Sequence, residues 1–185
     1  MTKKVQTEDG DEERKLFFGV GTVFDYSQTD GEPLATVAVP VLAGEEGAEL
    51  YGRLGQVVAA EQLELRAGDP DKMGSEQMGY YSPRERLIVV RDNPMLQKTK
   101  TLAHELGHHF AGHGGEADQS PRQEQETVAE SVSYVTLAHF GLDSGERSFP
   151  YIATWAKDQN TLRNALGQIQ KVSATLIERV ARAGE

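Results

Sequence analysis

The stretch TLAHELGHHF, residues 101–110, places three histidines and one glutamate within six positions of a 185-residue chain that has five histidines. On an α-helix, His104 and His108 project about 40° apart and one turn along the axis. Both imidazoles can therefore reach one ion. Glu105 lies beside that face, where its carboxylate can act as a base on a metal-bound water. This H-E-x-x-H spacing predicts a metal-binding helix.

The flanking residues predict where this helix begins and ends. Asn93 is a favourable N-cap, and Pro94 suits the first helical position because its missing N–H would be unpaired there. Gly114 and Gly115 can supply a left-handed cap after His113. We therefore expect the helix to run from Pro94 to His113.

A catalytic zinc ion needs a third protein ligand and an open position for water. The extended pattern H-E-x-x-H-x-x-G-x-x-H would require Gly at position 111 and His at position 114, where this chain has Ala111 and Gly114. His113 is not expected to serve as the third ligand instead. It follows His104 by nine residues, a rotation of about 180° that places it on the opposite side of the helix. The third ligand should therefore come from another segment.

The segment ETVAE, residues 126–130, supplies two carboxylates on a helix expected over 122–140. Glu126 and Glu130 are four residues apart and share one helix face. A metal-bound histidine usually donates its second ring N–H to a carboxylate. We assign Glu126 as the third ligand and Glu130 as that partner, although spacing alone leaves the reverse assignment open.

Composition restricts the function classes. A net charge of −10 disfavours a nucleic-acid partner and an anionic membrane surface. The absence of cysteine excludes disulfides and thiolate ligands, so a metal must be held by His, Asp or Glu. No stretch approaches 18 apolar residues, and the opening residues lack the apolar core of a signal peptide. We expect a cytoplasmic protein.

The remaining segments predict an α+β fold. Residues 1–15 are charge-dense and without periodicity, and we expect a disordered tail there and a single domain over 16–185. The further helices are expected at 47–62 and 160–182, the latter after a connector that contains Pro150. The expected strands lie at 16–30, at 36–42 on an edge or as a connector, and in a hairpin over 79–92.

Several segments together resemble two related groups of zincins, the ImmA/IrrE metallopeptidases and the C-terminal peptidase-like domain of ArdC-type antirestriction proteins. The matching segments are VFDYSQTDGEPL (23–34), GYYSPRERLIVV (79–90), KTLAHELGHHFAGH (100–113) and ETVAESVSYV (126–135). Residues 148–172 resemble the ArdC-type version in particular. The resemblance implies a small gluzincin-like domain, in which a short antiparallel or mixed sheet packs on the HExxH helix, a Glu-bearing helix and a long C-terminal helix. It also implies Glu126 as zinc ligand and Glu130 as the residue behind it.

The function that this resemblance implies is a zinc-dependent endopeptidase of narrow specificity, with Glu105 as general base and a repressor-type regulatory protein as substrate. The alternative is a non-catalytic antirestriction or accessory binding module with a structural zinc site, linked to single-stranded DNA in longer relatives. A structural site needs no base, so the presence of Glu105 favours the enzyme. The sequence leaves the oligomeric state open.

Two further features of a peptidase have candidates in the sequence. The oxyanion of the reaction needs a hydrogen-bond donor, for which the candidates are Tyr80, Tyr81, Tyr134 and His109. The edge of the 79–92 hairpin could bind an extended peptide by strand addition.

Overall fold

The computed structural model describes residues 2–6, 12–16, 41–69, 73–74, 76–155 and 159–184. Internal contacts divide the chain into two units, residues 1–36 and 37–185. In the first unit, strand β1 (Thr2–Gln6) pairs antiparallel with strand β2 (Glu12–Leu16). The expectation that residues 1–15 have no secondary structure is wrong for these two segments.

Residues 17–40, which carry the strand predictions of that region, lie outside the described residues. The single domain over 16–185 therefore stays a prediction.

The second unit contains a three-stranded sheet of β3 (Glu64–Gly68), β4 (Gly79–Ser82) and β5 (Leu87–Arg91) in the order β3-β5-β4. β5 is parallel to β3 and antiparallel to β4, so the predicted hairpin is confirmed. The first four residues of β5 are buried, as is typical of a strand covered on both faces. In the order β3-β5-β4, β4 lies at one edge of the sheet formed by the described residues.

Five helices complete the described part of the α+β unit. They are α1 (Ala48–Ala60), α2 (Met95–Ala111), α3 (Arg122–His139), α4 (Gly145–Trp155) and α5 (Gln159–Arg182). The helices predicted at 47–62, 122–140 and 160–182 are confirmed. None of the described helices has both the length and the apolar character needed to cross a membrane.

The connector expected around Pro150 is instead helix α4. Pro150 cannot donate a hydrogen bond to the carbonyl of residue 146, and its ring crowds that carbonyl. The first turn of α4 is held against the core, since Arg147 and Ser148 are 3% and 0% exposed. Tertiary burial therefore outweighs the helix-breaking tendency of the proline.

Helix α2 differs from its predicted bounds at both ends. Its N-cap is Pro94, and the side-chain amide of Asn93 contacts the Sδ of Met78 at 3.4 Å instead of capping the helix. Gly112 adopts the left-handed conformation with φ 76° and ends the helix at Ala111. The N–H of His113 then reaches back to the carbonyl of residue 108 at 3.0 Å. This cap turns the chain two residues earlier than expected.

α2 is the central helix of the unit and packs against α1, α3, α5, β4 and β5. Its apolar residues Leu102, Ala103 and Leu106 are fully buried. Buried polar side chains on α2 need hydrogen-bond partners. Gln97 has two: its Oε1 accepts the backbone N–H of Leu42 at 3.1 Å, and its Nε2 donates to the Thr101 hydroxyl at 3.1 Å.

Gly107 permits the close approach of α2 to α3. A Cβ atom at this position would lie 3.2 Å from the Cα and 3.3 Å from the carbonyl oxygen of Ala129. Backbone atoms cannot move aside as a flexible side chain can, so a larger residue would push the two helices apart. The spacing between the side chains of α2 and α3 depends on this glycine.

We expect Gly107→Ala to destabilise the protein by about 1–3 kcal/mol, because the added methyl group overpacks the α2–α3 interface. Urea unfolding followed by circular dichroism measures the change. Gly52→Ala is the matched control, since no heavy atom lies within 4 Å of a Cβ at Gly52 on α1. That substitution should stabilise the protein by about 0.5–1 kcal/mol through helix propensity. Equal effects at both positions would contradict this account of Gly107.

Candidate metal centre

Helix α2 presents His104 and His108 one turn apart with their Nε2 atoms 3.1 Å from each other. Their side chains are 17% and 13% exposed, so both imidazoles are largely shielded from solvent. The geometry is the one that the H-E-x-x-H spacing predicts.

Helix α3 brings Glu126 to the same point. Its Oε2 atom lies 3.5 Å from the Nε2 of His104 and 3.7 Å from the Nε2 of His108. Ligand atoms about 2.0–2.2 Å from a tetrahedral ion lie roughly 3.3–3.6 Å apart. The three observed spacings are close to this range, and the three residues form a group able to hold a metal ion.

Glu130 lies on the other side of the His104 ring. Its Oε2 is 3.1 Å from the Nδ1 of His104 and 2.8 Å from the Nζ of Lys100, and the ammonium is also 2.7 Å from Oε1. The Lys100 and Glu130 side chains are only 5% and 3% exposed. The two carboxylates of α3 thus face different nitrogens of one imidazole, Glu126 at Nε2 and Glu130 at Nδ1.

Buried charges shift the pKa values of this cluster. Burial disfavours the charged form of His104, but the carboxylates of Glu126 and Glu130 outweigh burial and raise its pKa to about 9. Burial alone would raise the pKa of Glu126, yet contacts with His104 and His108 hold it well below its usual range. For Glu130, Lys100 and His104 overcome burial and lower the pKa to about 2. Both carboxylates are therefore ionised at neutral pH.

Glu105 is 6% exposed and follows His104 on α2. Burial raises the pKa of its carboxyl group, against the opposing influence of the two histidines. β4 lies directly against it: a Cβ atom at Gly79 would be 3.1 Å from Glu105 Oε1 and 2.7 Å from the Val89 carbonyl oxygen. Only glycine at position 79 lets the edge strand approach the carboxylate this closely.

His113 corrects the expectation that it lies on the opposite side of the helix. Because α2 ends at Ala111, the turn at Gly112 carries His113 back, with its Nδ1 2.8 Å from the Nδ1 of His108. The side chain is 4% exposed, and burial lowers its pKa to about 4 with a further contribution from His108. The early Gly112 was the sequence signal for this contact.

The cluster forms one wall of a cavity of about 650 Å³. β4 supplies Gly79, Tyr80 and Tyr81 to the lining. Residues of the wall that the sequence analysis did not single out include Met78, Lys100, Arg122, Gln125 and Arg147. Lys100 could have been found, because it lies one helical turn before His104 on the same face.

Two of the four candidate oxyanion donors, Tyr80 and Tyr81, line this cavity. The Tyr81 hydroxyl lies 3.0 Å from the Nδ1 of His109. His109 and Tyr134 do not line the cavity. The Tyr134 ring packs on Phe149 with ring centroids 4.8 Å apart.

An α+β unit with an H-E-x-x-H helix and a glutamate from the next helix at the same point defines a metallopeptidase-type domain. Residues 53–155 match the profile of peptidase family M78, the IrrE N-terminal-like domain, and the chain belongs to this family. The resemblance to ImmA/IrrE metallopeptidases is thereby confirmed.

Two individual proteins are also similar. An uncharacterized protein of Bacillus anthracis is 24% identical over 192 residues, an alignment that covers 94% of this chain and 32% of the relative. The chain thus spans about a third of that relative's length. The crystal structure of the antirestriction protein ArdC from plasmid R388 in its Mn(II)-bound form aligns with 98% of this chain and 70% of the ArdC chain, at 22% identity and a TM-score of 0.45.

Substituting each glutamate of α3 should separate two roles. We expect Glu126→Ala to abolish metal binding and to cost the metal-free protein less stability than Glu130→Ala, because the Glu126 side chain is more exposed than that of Glu130, 18% against 3%. Glu130→Ala leaves Lys100 buried without its carboxylate, which should cost about 3–5 kcal/mol of stability. Elemental analysis after gel filtration and urea unfolding measure the two effects, with Glu124→Ala as control. Metal loss in Glu130→Ala with unchanged stability would reverse the two assignments.

Proposed function

We propose that this protein is a zinc-dependent endopeptidase of narrow specificity. The observation that carries the proposal is the position of Glu105, beside the His104, His108 and Glu126 group at the wall of one cavity. Membership of peptidase family M78 supports a hydrolytic role for this arrangement. A metal site that only stabilises the fold needs no such carboxylate.

His104, His108 and Glu126 would hold the metal in this proposal. Two imidazoles and one carboxylate are the ligand set of zinc peptidases, which supports zinc as the ion. A bound zinc ion supplies polarisation of the scissile carbonyl and lowers the pKa of a water molecule. The chain itself contributes Glu130, which accepts the Nδ1 proton of His104 and holds that ring in place.

Glu105 is the general base. Its carboxylate takes a proton from the attacking water and delivers it to the nitrogen of the leaving amine. Burial raises the pKa of this group, and a carboxyl group titrating closer to neutral pH can both accept and release the proton. The adjacent edge strand shields Glu105 from solvent on the β4 side.

The substrate is an extended segment of a protein, and we propose a repressor-type regulator as its source. Among the described residues β4 is an edge strand that lines the cavity, and its outer edge is the place where we expect a peptide backbone to pair near Glu105. The net charge of −10 favours a protein over a nucleic acid as the partner. A cytoplasmic location is part of the proposal and is compatible with a chain that lacks cysteine.

Elemental analysis of protein purified without added metal should find close to one zinc per chain. Removing the metal with a chelator should abolish activity, and adding back one equivalent of zinc should restore it. Protein that contains no metal and takes up none on titration would exclude the zinc mechanism and leave the structure as a binding module.

Glu105→Gln should keep the metal and reduce cleavage by about 10²- to 10⁴-fold, because the amide cannot accept the proton of water. Wild-type protein, Glu105→Gln and the exposed control Glu85→Gln are each loaded with zinc and incubated with a peptide library prepared from a whole proteome. Mass spectrometry then identifies the newly formed N-termini.

We expect wild type and Glu85→Gln to generate the same narrow set of new termini, and Glu105→Gln to generate none of them. If zinc-loaded wild type cuts no more peptides than Glu105→Gln, the endopeptidase proposal is wrong. The binding module with a structural metal site would then be the better description.

A further inference from the structure

The buried contact between His108 and His113 lies on the side of His108 that faces away from the metal ligands. The Nε2 of His108 lies near His104 and Glu126, whereas its Nδ1 lies 2.8 Å from the Nδ1 of His113. The two rings meet edge to face, with centroids 5.0 Å apart. His113 is thus placed to act on His108 rather than on the ion.

Valence decides which nitrogen carries the shared proton. Two ring nitrogens 2.8 Å apart form a hydrogen bond only when one of them is protonated. When His108 binds a metal through Nε2, the neutral imidazole carries its proton on Nδ1. His108 then donates and His113 accepts.

We propose that His113 is a positioning residue whose Nδ1 accepts the Nδ1–H of His108, and thereby fixes the ring orientation and tautomer in which His108 Nε2 faces the metal. The role parallels that of Glu130 on His104, with a neutral acceptor in place of a carboxylate. The inference rests on the metal site of the proposed function and is independent of peptide cleavage.

The second nitrogen of His113 supports a role beyond packing. Once Nδ1 accepts, the proton of the neutral ring lies on Nε2, and this atom is buried with no hydrogen-bond partner among the described residues. A buried N–H without an acceptor lowers stability. An apolar side chain of similar size would fill this place without that cost, so the contact at Nδ1 is the feature of His113 that packing does not explain.

The loop between α2 and α3 holds His113 in this place. Asp118 accepts the N–H of Gly114 at 2.8 Å and the side-chain amide of Gln125 at 2.7 Å. The backbone immediately after His113 is therefore fastened to the first turns of α3, the helix that carries Glu126. One short loop thus connects the partner of His108 to the helix of the third ligand.

The neutral acceptor also suits the charge of the site. Glu105, Glu126 and Glu130 already contribute three carboxyl groups around the two histidines, with Lys100 as a buried cation. A further carboxylate behind His108 would add a fourth acidic group to this cluster. An imidazole offers the same acceptor atom without this charge.

The test uses leucine and asparagine at position 113, two side chains of nearly equal shape. The carbonyl oxygen of Asn can accept at the position of the histidine Nδ1, whereas Leu offers no acceptor. Zinc affinity of wild type, His113→Leu and His113→Asn is measured by competition with a chromophoric chelator. His139→Leu and His139→Asn, at an exposed position on α3, are the matched controls.

We expect His113→Leu to weaken zinc binding by about 10- to 100-fold and His113→Asn to recover most of this loss. The visible spectrum of the cobalt-substituted protein should change for Leu and return towards wild type for Asn, which a packing effect would not produce. Urea unfolding of the metal-free variants records any general loss of stability.

Three outcomes would overturn the inference. Wild-type affinity in His113→Leu would show that the contact does not act on the ligand. Equal losses in the Leu and Asn variants would assign the effect to packing. Absence of metal binding by the wild-type protein would contradict both the proposed function and this inference. The first two outcomes, in which the wild-type protein binds zinc, contradict this inference alone.

Discussion

The buried contact of Glu130 with Lys100 and His104 sets how the two central helices lie against each other. Lys100 and His104 are one turn apart on α2, and Glu130 enters between them from α3. Glu126 is one turn before Glu130, so the same register brings it to the opposite nitrogen of the His104 ring. A carboxylate between a buried ammonium and an imidazole tolerates little sliding, since a misplaced helix would leave a buried charge unpaired. The meeting of Glu126 with His104 and His108 therefore depends on a contact made by Lys100 and Glu130, which are not among the three candidate metal ligands.

Two glycines make this arrangement compact. Gly107 allows the backbone of α3 to lie against α2, and Gly79 allows the edge strand β4 to lie against the opposite part of the same helix. Glu105 is consequently held between the face of α2 that carries His104 and His108 and the strand β4, in surroundings that raise its pKa. Gly107 brings the carboxylates of α3 within reach of the imidazoles of α2, and Gly79 lets the β4 backbone approach the Glu105 carboxylate. The low dielectric that results strengthens each electrostatic interaction of the cluster.

The edge strand is also connected to the far side of the unit. Tyr81 on β4 contacts His109 on α2 at 3.0 Å, and the other nitrogen of His109 lies 3.5 Å from Glu61 after α1. Arg179 on α5 pairs with the same glutamate at 3.2 Å. A chain of side chains thus links the proposed peptide-binding edge to the C-terminal helix, although its exposed end contributes little to stability. α5 thus covers the core and is also linked, through Glu61 and His109, to Tyr81 in the lining of the cavity.

The sequence by itself determined the part of the site that depends only on helix geometry, because the helical spacing pairs His104 with His108 and places Glu105 beside them. The tertiary structure decided the rest. Glu126 and Glu130 carry the same charge and lie on the same face of α3, so the sequence does not distinguish their roles. The register of α3 on α2 does, because it places Glu126 at Nε2 of His104 and Glu130 at Nδ1. His113 was misplaced because the helix was extended through Gly112, whose left-handed turn brings the residue back. Periodicity predicts which side chains share a face, whereas packing between distant segments decides which atoms of those side chains meet.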